Sequence, residues 1–373
     1  MRAWLALFTA ALVIGGCSSS PPMGGAGGSP DARPDLAQPA DGDAPAGTGG
    51  ADASPDLPAA DVPGPPDNRD ATDGSDAVDT APPVGARTVG QLYCPPAGTA
   101  LAPSPLPPGQ PQPAQIPFTP PGGITFLEGP VWLADRGVLL FSEFGGMHRI
   151  LQLTPPQTVD VFLPDSGTNG LAVTPDGKAL LMVTEVQAKT VSRLALADKA
   201  VQPVVSDFNG QTFIQPNDLV VRADGTIFFT DYQAGRLYRR AVNGTLALIS
   251  SLPRSNGVGL SPDETTLYLN ADTHTVKYPL APDGTVGTGT DLATNLRGAD
   301  GLAIDCAGNI FIAQNAGGSL VVMSPAGQKL GEIGGLPMVV TNAAFGGADR
   351  QTLYITTSAA LYSLKLAIPG LPY

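Results

Sequence analysis

The chain has 373 residues, with 33 Asp and Glu against 20 Lys and Arg, a net charge of −13, three cysteines and two histidines. Basic clusters that could meet a phosphate backbone are absent, which argues against nucleic-acid binding. The acidity is uneven: residues 18–93 hold twelve Asp, no Glu and three Arg, a net of −9, so with Arg2 ahead of them only −5 is left for the remainder.

Arg2 and the apolar run from Ala3 to Ile14 are too short to span a bilayer as a mature helix and read as a signal-peptide hydrophobic region. The run ends in Ile14-Gly15-Gly16-Cys17. Small residues directly before a cysteine resemble the lipobox of bacterial lipoproteins, in which Cys17 is lipidated and becomes the first residue. The alternative is an ordinary secreted protein with an unmodified Cys17. The following Ser18-Ser19-Ser20 suits an exported tether, and no acidic residue follows Cys17 directly, which suits sorting to the outer membrane. An exported lipoprotein at the outer membrane or periplasmic face is expected, touching the membrane only through its lipid anchor.

Residues 18–93 are dominated by Pro, Gly, Ala, Ser and Asp and cannot bury enough surface to offset the entropy of folding, so they read as a disordered linker. As a flexible coil it would reach roughly 50 Å. Residues 94–120 form a Pro-rich arm that carries Cys94. An exported compartment permits a bridge from Cys94 to Cys306, and two free thiols are equally compatible with the spacing.

Residues 121–367 repeat. Glu128-Gly129-Pro130, Asn169-Gly170, Asn217-Asp218, Asn256-Gly257, Asp300-Gly301 and Asn342-Ala343 recur at intervals of 41, 48, 39, 44 and 42 residues. Seven positions after each opening residue comes a turn, at Asp135, Asp176, Asp224, Asp263, Ala307 and Asp349. A period in the forties built from short β-rich runs predicts an all-β, six-bladed β-propeller with four antiparallel strands per blade. The third copy shows the strands most plainly, at 217–221, 227–231, 236–240 and 246–249. Ala360–Leu366 is the expected closing strand, with the strand near Ile124–Leu127 sealing the ring and 368–373 left as a C-terminal tail.

In a propeller, one register of the innermost strands gathers around the central channel. Here that register holds two carboxylates, Glu128 and Asp300, and four amides, Asn169, Asn217, Asn256 and Asn342. Oxygen donors of this kind suit one hard divalent cation, with Ca²⁺ the first choice and Zn²⁺, Mg²⁺ or Mn²⁺ as alternatives. Asn and Asp before Gly are also common turn formers, and Asn169 and Asn342 are open to that simpler reading. Glu128 is not, since Glu is a poor turn residue and a buried carboxylate needs a cation or donors.

Phe126-Leu-Glu128-Gly-Pro130-Val-Trp132, followed by Leu140-Phe-Ser-Glu143, resembles the opening of the SMP-30/gluconolactonase/luciferin-regenerating family. Pro216-Asn217-Asp218, Ser255-Asn256-Gly257 and Ala299-Asp300-Gly301, each with its following apolar run, are similar to later blade signatures of that family. The resemblance implies a propeller with a single divalent metal, lactone hydrolysis, and Glu128, Asn256 and Asp300 as ligands, with Asn217 near the metal or the bound substrate. Asn169 and Asn342 complete the expected substrate-binding set. Animal members carry an Arg shortly before the third-blade Asn, whereas Gln211–Pro216 contains no cation. Glu143 also stands where many members carry Asp.

The expected chemistry is opening of a small lactone or ester by a monomeric enzyme, with a cation polarising the carbonyl and Asp300 as general base. A serine hydrolase finds no Gly-x-Ser-x-Gly in the folded region, and His148 and His274 read as solvated turn residues. A non-catalytic propeller that only binds a ligand or protein, and an esterase or phosphotriesterase, compete with the lactonase.

Overall fold

In the computed structural model, which describes residues 87–109, 111–118, 126–186 and 188–373, each repeat folds as one four-stranded antiparallel sheet. The signal segment, Cys17 and nearly all of the linker lie outside the described residues. The third blade has strands Pro216–Val221, Ile227–Asp231, Arg236–Arg240 and Leu246–Ser251, within two residues of the sequence reading. Inner strands of neighbouring blades pack on one another, and that of the sixth, Val340–Gly346, meets that of the first, Leu127–Leu133. The six sheets form a closed six-bladed propeller.

Alternation explains the packing. In a central strand both faces are covered, so Leu127–Leu133, Thr168–Val173 and Ala299–Ile304 are buried along their whole length, while the outermost Thr158–Leu163 is mostly exposed. The apolar core is therefore divided into seams between blades. At the seam of blades six and one, Trp132 stacks on Tyr354 with ring centroids 5.8 Å apart, a contact worth about 1 kcal/mol beyond its buried area.

In blades two, three, four and six the expected turn residues stitch the first two strands. The Asp176 carboxylate accepts the Lys178 N–H, and Asp224 and Asp263 likewise accept the N–H two residues on. In the fifth blade Asp305 takes this role, accepting the Ala307 and Asn309 N–H groups, so Ala307 can stand where the other copies carry Asp.

Three expectations need correction. The ring closes through Ala114–Ile116 of the Pro-rich arm, which pairs with Leu361–Lys365 as the outer strand of blade six; Leu127 belongs to the inner strand of blade one. Order also begins before residue 94: Val89–Tyr93 is a short helix capped by Thr88, with the Val89 N–H donating to Glu264 Oε1 at 3.0 Å and the Gly90 N–H to the Pro262 carbonyl at 2.7 Å. A Cβ on Gly90 would lie 2.8 Å from the Pro262 Cβ, so only glycine lets the helix sit this close. Finally, the C-terminal segment is not a free tail. Its backbone bonds to blades five, six and one through Ile304, Phe345 and Trp132, and Tyr373 packs into two core clusters.

Cys94 and Cys306 form a disulfide with their Cα atoms 5.5 Å apart. The bridge pins the helix to the fifth-blade turn, beside the C-terminal segment, where the Cys306 N–H donates to the Pro369 carbonyl.

Candidate active site in the central channel

Every inner strand is irregular at the repeated motif. The pairing register shifts between Glu128 and Val131, Thr168 and Leu171, Pro216 and Leu219, Ser255 and Val258, Ala299 and Leu302, and Val340 and Asn342. A bulge of this kind re-aims a side chain, and here it does so at one level in all six blades. The glycine that follows has a separate cause. A Cβ on Gly170 would lie 2.5 Å from Asp218 Oδ1, and one on Gly257 would strike the Asp300 carbonyl, so these residues let adjoining blades approach.

The backbone of this ring is tied between blades. The Ser142 hydroxyl donates to the Asn169 carbonyl at 2.6 Å, Thr341 to the Leu127 carbonyl at 2.6 Å, and the Asn270 amide to the Asp300 carbonyl at 2.6 Å.

The structure brings Glu128, Asp300 and Asn256 together. Burial and then the Asp300 and Asp218 charges push the Glu128 carboxyl well above the usual range. Burial raises Asp300 to about 7, against hydrogen bonds from Asn315 and Asn256 that lower it. Asn315 Nδ2 donates to Asp300 Oδ2 at 2.6 Å. Because the Asn256 amide bonds to Asp300, its carbonyl oxygen is the end left for a ligand. Asn217 is buried in the same ring.

Two more carboxylates stand in this region that the repeat did not reveal as functional. Asp218 is buried, raised to about 7 by that burial, and held by the Leu219 and Val258 N–H groups and by Asn342. Glu185, also raised to about 7 by burial, accepts the Asn169 amide at 2.8 Å and the Gln215 amide. The Asn342 oxygen accepts the Ala343 N–H at 2.8 Å and its side chain bonds to Asp218, so it braces that carboxylate. Asn169 has its amide nitrogen on Glu185 and keeps its oxygen available. Glu143 pairs with the buried Arg149 at 3.3 Å. The histidines need correction: His274 opens the strand His274–Pro279 beside Asp291 instead of sitting in a turn, and His148, edge-on to Phe144, is half-buried instead of solvated.

Mutually repelling carboxylates buried this closely are costly unless protonated or neutralised. Among the described residues no three His, Cys, Asp or Glu side chains surround one point, so carboxylates alone do not complete a metal site. Glu128 and Asp300 with amide oxygens from Asn256 and Asn217 make an all-oxygen donor set, and that set fits a hard divalent cation.

Residues 126–359 match the family model described as the SMP-30/Gluconolactonase/LRE-like region. The chain belongs to this family. A gluconolactonase from Zymomonas mobilis is 31% identical over 280 residues, covering 63% of this chain and 77% of the relative. A pentonolactonase from Haloferax volcanii is 27% identical over 246 residues, covering 62% of this chain and 81% of its own length. Among solved structures, a gluconolactonase from Xanthomonas campestris superposes with a TM-score of 0.61 at 27% identity, covering 74% of this chain and 99% of that one.

Proposed function

We propose that this family member is a lactonase that opens a cyclic ester to the hydroxy acid with the help of one divalent cation, Ca²⁺ being the first candidate. The observation that carries the reading is the channel ring itself, where Glu128, Asp218 and Asp300 are buried with amides as their neighbours, burial raises all three, and the Asp300 and Asp218 charges raise Glu128 further. The names of the Zymomonas and Haloferax relatives support the same substrate class.

Glu128, Asp300, Asn256 and Asn217 would hold the cation, which when bound supplies the positive charge that polarises a carbonyl and acidifies water. Asp300 is the base. Asn315 and Asn256 fix its orientation, and its carboxylate can accept a proton and return it. It takes the proton of the attacking water as the new C–O bond forms. When the ring C–O bond breaks, the departing alkoxide takes that proton back. The oxygens of Asn169 and Asn217 orient the lactone, while Asp218 holds the neighbouring blade in place through the Val258 N–H.

The exported setting belongs to the same reading: Cys17 carries the lipid, and a monomeric propeller works outside the cytoplasm at the end of its linker. The test is turnover of γ- and δ-lactones, aryl esters and phosphotriesters by the metal-loaded protein and by Asp300→Asn. Lactone turnover that falls at least a hundredfold in the variant, with metal content unchanged, is the expected result. A metal-loaded wild type inert toward the whole panel would refute it in favour of a binding propeller.

A further inference from the structure

The connection from blade two to blade three is the longest interval of the repeat, and part of it folds as a small hairpin, Asp207–Phe208 against Gln211–Thr212. Beneath that hairpin lies a cavity of about 460 Å³, within the size range that holds a small ligand. Its walls include Phe208, Gln211, Thr212, Asp231, Arg236 and Tyr238.

These walls combine an aromatic platform with paired donors and acceptors. Phe208 is half-buried, with its ring 5.2 Å from that of Tyr238, and Tyr238 in turn stacks on Phe229 at 5.2 Å. The Arg236 guanidinium donates to the Tyr238 hydroxyl at 3.3 Å, and among the described residues it forms no ion pair. Asp231 accepts the Ile214 N–H at 2.8 Å on one oxygen and the Gln215 and Ala234 N–H groups at 2.7 and 3.4 Å on the other, which leaves a lone pair free on the first. Opposite charges side by side select neither an anion nor a cation. Adjacent donors and acceptors over an aromatic face are what a sugar ring needs, since it presents C–H groups on one face and hydroxyls at its edge.

The cavity also stands at a measurable place relative to the channel. Pro216 pairs with Asp231, and Asp231 with Arg236. Arg236 is therefore two strand spacings, about 10 Å, out from the inner strand that carries Asn217, close to the length of a disaccharide.

We propose that this cavity is a sugar subsite, and that the lactone opened in the channel carries a glycosyl substituent, an aldobionolactone. The first part stands on the cavity alone; the second rests on the lactonase reading. The metal-loaded full chain is assayed with cellobiono-1,5-lactone and glucono-1,5-lactone, alongside Phe208→Ala and Arg236→Gln, each checked by thermal melting. Calorimetric titration with cellobionate provides a readout that needs no turnover.

The wild type should prefer the disaccharide lactone at least tenfold in kcat/KM. Each variant should reduce that preference through KM, leave gluconolactone within twofold, and weaken cellobionate binding about tenfold, the energy of one or two lost contacts. Equal turnover of both lactones, with neither variant moving the ratio or the cellobionate affinity, overturns the sugar subsite and leaves the lactonase reading intact. A wild type inert toward both lactones that still binds cellobionate through Phe208 and Arg236 overturns the lactonase reading and keeps the subsite.

Discussion

Replacing both Cys94 and Cys306 by Ser removes a bridge between positions 212 residues apart. In the chain-entropy description, a loop of that length costs the cross-linked unfolded chain about 18 cal/mol/K, or about 5 kcal/mol at 25 °C. Measured bridges usually deliver less, about 2–4 kcal/mol. The structure also sets a local limit. Without the bridge, the helix is held by the Val89 and Gly90 N–H bonds, by burial of Val89, and by the edge contact of Tyr93 with Tyr373 at 6.3 Å, so it can release before the propeller opens. At about 2–4 °C per kcal/mol for a domain approaching this size, the double variant should melt about 4–16 °C lower.

The assay is calorimetric melting of the full chain without reductant, with thiols counted under denaturing conditions. A chain with three cysteines and one bridge has one reactive thiol when Cys17 is unmodified. Lactone turnover of the double variant below its melting range should stay within twofold of wild type, because neither cysteine touches the channel ring. Three reactive thiols in the wild type, or melting points within 2 °C of each other, would refute the reasoning.

Four other outcomes are expected. In the chelated protein, Asp300 and Asp218 have folded pKa values raised from 3.8 to about 7, so their protonated forms favour the fold; that stability is full below about pH 4 and lost as pH rises through 7. Denaturant midpoints from pH 5 to 8 should therefore fall in chelator and recover with Ca²⁺, and a flat profile would contradict it. Gly257→Ala places a Cβ 2.8 Å from the Gly301 Cα and should cost about 1–3 kcal/mol by overpacking, with a larger loss of metal affinity seen by titration. Tyr373→Phe should melt at or above the wild-type temperature, because the buried Tyr373 hydroxyl has no partner among the described residues and an unsatisfied group costs about 1–3 kcal/mol; Tyr373→Ala should lose about 3 kcal/mol as a large side chain packed against two core clusters is removed. Cys17→Ser should abolish labelling of the expressed chain by a palmitate analogue, and retained label would refute lipidation.

The propeller was legible because one constraint repeats. Packing six inner strands around an axis leaves no room for a Cβ beside the neighbouring blade, so Gly170, Gly257 and Gly301 are fixed by contact with the next copy, and the residue before each is turned inward by a bulge. That register alone gathered the six ring residues, and the resemblance to the family singled out Glu128, Asn256 and Asp300 among them. Asp218 could also have been found, since it occupies the glycine position of the third copy and Gly170 gives it space. Glu185 and Asn315 lie just beyond second strands, where loop length varies from blade to blade and no fixed spacing marks them. The ring closure was misplaced for a related reason: Ala114–Ile116 is three residues long with one buried side chain, too short to show an alternating pattern.

The two ends of the channel carry different obligations, and this is why stability and chemistry should separate in variants. The ring residues lie where inner strands begin, and burial raises the carboxylates there, a cost that a ligand can relieve. At the other end of those strands, Glu264 and Asp305 spend their oxygens on backbone N–H groups of the helix and of the turns, and the C-terminal segment crosses from Ile304 to Trp132. Polar groups satisfied within the protein make a closure, while polar groups left dependent on something else make a site. Substrate should therefore enter only from the end bearing Glu128, Asn217 and Asp300. A bulky side chain introduced there, as in Ile214→Trp on an exposed rim position, should raise KM at least threefold with melting unchanged, whereas Ala134→Trp at the opposite turn should leave KM alone. If both moved KM equally, the division of the channel into an open end and a sealed one would be wrong.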